Sequence, residues 1–143
     1  MPTRTARTIW TGGLQDGAGT VTLVSSGVGR YEVNFPKRAA DNADGTTSPE
    51  ELIAAAHSAC FAMQFSALLG AAGGSGQSLD VSADVSLGPD PAGGFRITGI
   101  VLNVAGAADG VSAEDFARIA EEAKSACPVS KAIAATDISL RVG

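Results

Sequence analysis

Residues 47–61 read TSPEELIAAAHSACF, and this stretch decides how the rest of the chain must be arranged. Ser48 is a good helix N-cap, and Pro49 brings its fixed φ to the first helical position. Glu51, three residues after the serine, completes a capping box. Glu50 and Glu51 also favour the positive end of the helix dipole. The pattern predicts a helix running to Leu69 and stopping at Gly70, with Gly73-Gly74-Ser75-Gly76 as a flexible exit. Leu52, Ala56, Cys60, Met63 and Ala67 fall near one face. Ala54, Ala55, Phe61, Ala62 and Phe65 lie opposite, so burial on nearly all sides is expected. A membrane span is the weaker reading, because His57, Ser58, Gln64 and Ser66 interrupt the apolar run. A chain of 143 residues has little material to cover such a helix, so a second copy, and hence a dimer, is expected.

Outward from this helix the pattern changes period. Residues 5–10, 20–24 and 30–35 alternate polar and apolar, with turn signals at Gly12-Gly13, Asp16-Gly17 and Ser26-Gly27. They predict a three-stranded meander ended by Phe35-Pro36, and residues 36–47 read as a polar loop. Beyond the helix, residues 79–87 and 95–104 read as a hairpin around the Gly88–Gly94 turn. Ser112 opens an amphipathic helix whose Phe116, Ile119, Ala120 and Ala123 share the core face. Pro128 starts a short helix over 129–134, and 137–142 closes as a strand. The order β-β-β-α-β-β-α-α-β is an α+β pattern. With no internal repeat and no long linker, residues 1–143 are expected to form one domain.

Composition narrows the function. Apolar residues make up 45% and charged residues 17%, a globular balance. The net charge of −5 provides no basic stripe for nucleic acid or an anionic membrane surface. Residues 1–20 lack a continuous hydrophobic stretch, so no signal peptide is expected and a cytoplasmic setting follows. Two cysteines and one histidine are too few for structural zinc, so no metal is expected. No P-loop or GxGxxG occurs, and a cycle run by thiols requires no bound cofactor.

Cys60 and Cys127 stand alone, without CxxC spacing. Cys60 is read either as a small buried hydrophobe or as a nucleophile. Burial alone raises a thiol pKa, so reactivity requires a cation. His57, one helical turn earlier, and Arg38, in the preceding loop, are the candidates, each with an ordinary reading as a packed or solvated residue. Cys127 precedes Pro128 at a predicted helix start, where unpaired N–H groups lower a thiol pKa. It reads equally as a weak cap.

Residues 47–61 together with Ala126-Cys127-Pro128-Val129-Ser130 resemble the OsmC/Ohr family, the osmotically inducible and organic hydroperoxide resistance proteins. The similarity is closer to the OsmC branch and spans essentially the whole chain. It implies an intertwined homodimer with active sites at the subunit interface, and a thiol-dependent peroxidase acting in oxidative and osmotic stress. Carried over by position, it implies Cys60 as the peroxide-attacking cysteine, Cys127 as the resolving one, Glu50 as the family's glutamate and Arg38 as its arginine, with Arg30 as competitor. The implied substrate is an organic hydroperoxide, and the implied recycling partner is an external dithiol, lipoyl-type among the candidates. Glu50 and Cys60 are ten residues apart, roughly 15 Å along a helix at ~1.5 Å per residue. One Arg38 can hardly touch both, so a site holding all three favours contributions from two chains. The alternatives are a dimeric protein that binds a hydrophobic ligand without catalysis, and a redox sensor.

Overall fold

A computed structural model describes residues 1–143. The chain divides into two compact units, Met1–Pro49 and Glu50–Gly143.

The first unit is the expected meander. Strands β1 (Arg7–Thr11), β2 (Ala18–Thr22) and β3 (Arg30–Val33) form an antiparallel sheet in chain order. Residues 36–47 are not all loop, because α1 (Phe35–Arg38) follows β3. Asn34 Oδ1 accepts from the Lys37 N–H at 2.9 Å and caps this turn. Pro36, read as a strand stop, therefore also serves as a helix-start residue. Arg38 ends α1.

In the second unit α2 spans Pro49–Ala71, with Glu50 and Glu51 in its first turn. It runs through Gly70 to Ala71, and the stop falls at Gly73 instead. Gly73 takes φ 86°, its N–H donates to Gly70 O, and the Gly74 N–H donates to Leu69 O. This paired return closes the helix with a left-handed glycine, and a non-terminal Gly70 is tolerated because packing carries the last turn. Strands β4 (Ser75–Pro89) and β5 (Phe95–Asp109) form a longer antiparallel hairpin than expected, and Ser75 belongs to β4 instead of a flexible exit. Helix α3 (Ala113–Ala126) is capped by Ser112, whose hydroxyl accepts from the Asp115 N–H. Helix α4 (Pro128–Ala132) follows at once, and β6 (Ile138–Val142) pairs parallel to β5.

The core of this unit lies where one stripe of α2 meets the sheet and α3. Phe61, Phe65 and Leu69 pack with Leu102, Val104 and Ala108 of β5 and Phe116, Ile119, Ala120 and Ala123 of α3. The Phe65 and Phe116 rings meet edge to face at 4.8 Å. By length and composition α2 could cross a membrane, but this stripe is part of a protein core. The expectation of burial on nearly all sides fails within one chain. Only Glu50, His57, Phe61, Phe65 and Leu69 are buried, at near four-residue spacing, while Ala55, Ala56, Ala59, Met63 and Ala67 are exposed. The unit has one sheet to offer and covers one side of the cylinder.

Candidate active site

The buried stripe of α2 carries His57 and, one turn later, Cys60 at its edge. Residues on a helix three apart lie on one face. Helix α4 offers a matching pair, Cys127 at its N-cap and Ser130 in its first turn. The two pairs meet in opposite chain directions. His57 Nε2 lies 2.8 Å from Ser130 Oγ, and the Cys127 thiol donates to the Cys60 sulfur at 3.2 Å. Both cysteines are free thiols. They are 67 positions apart in sequence, so only the fold brings them together.

Their environments differ. Cys127 is fully buried and belongs to the core, whereas Cys60 is half-buried and packs against its edge. Burial pushes the Cys60 thiol up; the Val129 N–H opposes this, and the neighbouring Cys127 adds to it. None of these influences is a cation. Burial also acts to raise Cys127, but the Ser130 N–H, the Cys60 thiol, the Ser130 hydroxyl and the Val129 N–H outweigh it, and the thiol lies below its ordinary range. Cys127 makes no side-chain capping hydrogen bond. Its acidity comes from these dipoles facing the sulfur. His57 is fully buried, and that burial lowers its pKa, so the imidazole is neutral at neutral pH. Its Nδ1 is buried without a hydrogen-bond partner.

The other expected residues belong elsewhere in the fold. Glu50 is buried at the start of α2. The helix is continuous between Glu50 and Cys60, so their ten positions amount to about 15 Å of axis. Arg38 lies in the first unit, in the last turn of α1, and Arg30 opens β3. No group of three or more His, Cys, Asp or Glu side chains gathers where it could hold a metal. Sequence reasoning gave Ser130 no role. The signal was present in the reciprocal three-residue spacings His57/Cys60 and Cys127/Ser130.

The family described as OsmC-like protein matches residues 41–142. The chain belongs to the OsmC family. It is 42% identical over 126 residues to Peroxiredoxin OsmC of Escherichia coli (strain K12), which covers 88% of this chain and 86% of that protein. Among solved structures, an organic hydroperoxide resistance protein OsmC from Legionella pneumophila superposes with a TM-score of 0.79 at 26% identity, over 100% of this chain and 98% of that one. The organic hydroperoxide resistance protein OhrB of Bacillus subtilis gives 0.76 at 28% identity, over 97% and 98%. The mixed α+β architecture with a long central helix is therefore that of the OsmC and Ohr proteins.

Proposed function

We propose that this chain is a cysteine-based peroxidase that reduces organic hydroperoxides to alcohols, as the names of its OsmC and Ohr relatives indicate for those proteins. The observation that carries the reading is the 3.2 Å approach of the Cys60 and Cys127 sulfurs. Cys60, the more exposed sulfur, is the peroxide-attacking residue. Its thiolate attacks one peroxide oxygen, the O–O bond breaks, and the alkoxide leaves and takes a proton as the alcohol. The resulting Cys60 sulfenic acid then condenses with the Cys127 thiol, forming the disulfide and releasing water. An external dithiol reduces that disulfide by exchange. No bound cofactor enters this cycle.

In this reading Arg38 stabilises the Cys60 thiolate and orients the peroxide, and Glu50 holds the guanidinium by paired hydrogen bonds. The working form is a homodimer, acting in the cytoplasm, with Met1–Gly143 serving as one OsmC-like domain. Two observations support the dimer. One face of α2 exposes Ala55, Ala56, Ala59, Met63 and Ala67, and the ten-residue separation of Glu50 from Cys60 suits a site built from two chains.

The test is direct. Cys60→Ser abolishes hydroperoxide turnover. Cys127→Ser consumes about one equivalent per chain, since one Cys60 has one thiolate to oxidise, and then stalls or over-oxidises. Mass spectrometry of the wild type after one equivalent shows a 60–127 disulfide. Full activity in both variants excludes the scheme.

A further inference from the structure

The His57–Ser130 bond is buried and unused in the cycle above. It joins the same two helices as the cysteine pair, one turn away, and in mirror order. We propose that His57 and Ser130 act as positioning residues for Cys127, forming a one-way chain of donors, imidazole to hydroxyl to sulfur, that sets it as the departing thiolate when the disulfide is reduced. The proposal rests on the reading of Cys60 and Cys127 as the redox couple.

The direction of the chain follows from the unpartnered His57 nitrogen. A neutral imidazole carries one proton. On Nδ1 that proton would be a buried N–H without an acceptor, the rarest kind of unpaired group, and Nε2 would have to accept the Ser130 O–H. On Nε2 it is donated to Ser130 Oγ, and Nδ1 keeps only an unshared lone pair. Ser130 stands three residues after Cys127 at the start of α4, so its hydrogen is left to turn toward the Cys127 sulfur, whose thiolate that hydroxyl favours. Each donor in such a chain strengthens the next. Ser130 also lines an open cavity of about 420 Å³ with Lys124, Lys131 and Thr136.

Exposure then decides which sulfur the reductant meets. Cys127 is fully buried and Cys60 is half-buried. The first thiolate of the external dithiol attacks Cys60 Sγ. A mixed disulfide forms on Cys60, the Cys60–Cys127 bond breaks, and the electron pair leaves on Cys127. A thiol of lower pKa departs faster, and the Ser130 hydroxyl meets the new charge as it forms. The second thiol of the dithiol then attacks the mixed disulfide, leaving a cyclic disulfide and a Cys60 thiolate. The proton it sheds returns to Cys127 through solvent.

The experiment separates recycling from peroxide reduction. Wild type, Ser130→Ala, Ser130→Thr, His57→Leu and His57→Gln are compared by stopped flow in two steps. The first is consumption of one equivalent of cumene hydroperoxide by the reduced protein. The second is reduction of the isolated disulfide form by dihydrolipoamide. Ser130→Ala and His57→Leu are expected to keep the first step and slow the second by roughly ten-fold or more, the loss of one hydrogen bond to a charged sulfur. Ser130→Thr and His57→Gln, which keep a donor, restore the second step. In each reaction stopped by acid, the dihydrolipoamide adduct is found on Cys60. Equal slowing of both steps, an unchanged second step, or an adduct on Cys127 overturns the proposal. Loss of the first step in the wild type itself would instead overturn the peroxidase reading.

Discussion

Oxidation of the cysteine pair should stabilise the protein, and the size of the effect follows from the structure. The 60–127 bond would close a loop spanning 67 positions between sulfurs already 3.2 Å apart. A cross-link of that span removes about 4 kcal/mol of chain entropy from the unfolded state at room temperature. The sulfurs need to move only about 1 Å to reach bonding distance, so little of this should be lost to native strain. The assay is equilibrium urea unfolding, followed by circular dichroism, of reduced protein and of protein treated with one equivalent of organic hydroperoxide. Cys127→Ser treated identically controls for oxidation without closure. The oxidised wild type should unfold with ~4 kcal/mol more stability and a shallower denaturant slope, because a cross-linked unfolded chain exposes less surface. On heating, this corresponds to roughly 10–15 °C for a chain of this size. An oxidised form no more stable than the reduced one would mean that closure strains α2 against α4, and that the pair is not poised to join.

Phe65→Ala removes a fully buried ring and its edge contact with Phe116; a loss of about 3–5 kcal/mol is expected in the same unfolding experiment. Ser112→Ala removes the hydroxyl that accepts from the Asp115 N–H at 3.1 Å, and should cost ~1 kcal/mol without altering turnover. His57 titrates below its ordinary value because it is buried. A depressed folded pKa contributes stability that is present above the unfolded value of about 6.5 and lost as pH falls below it. The wild type should therefore lose more stability than His57→Gln between neutral and mildly acidic pH, and parallel curves would reject that assignment.

Period and punctuation made most of the fold legible. The meander, the capped helix start at Pro49, the hairpin and the Ser112 cap all follow from local chemistry, and the structure places them within a few residues. The misses have physical causes. Phe35-Pro36 ends a strand and, with Asn34 as cap, also starts a helical turn; a local rule cannot rank two outcomes that proline permits equally. Gly70 looked like a stop, but the hydrogen bonds that close α2 return from Gly73 and Gly74. The α2 faces were misjudged because periodicity shows how much of a cylinder is apolar, and not how far a single chain reaches around it. In the site, the cysteines announced themselves by isolation. Ser130 did not, since a serine acquires meaning there only through the histidine 73 positions away that it meets.

The acidity of the two thiols runs opposite to their proposed roles. Within Glu50–Gly143 the dipoles around Cys127 favour its thiolate, while burial and Cys127 itself disfavour that of Cys60. The thiolate is the nucleophile, so this unit alone is set to resolve a sulfenic acid and to release Cys127, and is not set to attack a peroxide. An outside cation must reverse the order at Cys60, and the proposed source is Arg38. An opposite charge within a few ångströms shifts a pKa by roughly 1–3 units, so Arg38→Met should slow the first equivalent of hydroperoxide by about 10- to 1,000-fold through the thiolate fraction. The same variant, treated with diamide, should still close the 60–127 disulfide, because Cys127 can supply the first thiolate and Cys60 lies beside it. The readouts are stopped-flow peroxide consumption and cysteine-specific mass spectrometry. Unchanged peroxide kinetics in Arg38→Met would show that Cys60 gains its reactivity elsewhere. Loss of diamide closure would show that Arg38 holds the two cysteines together instead of charging one of them.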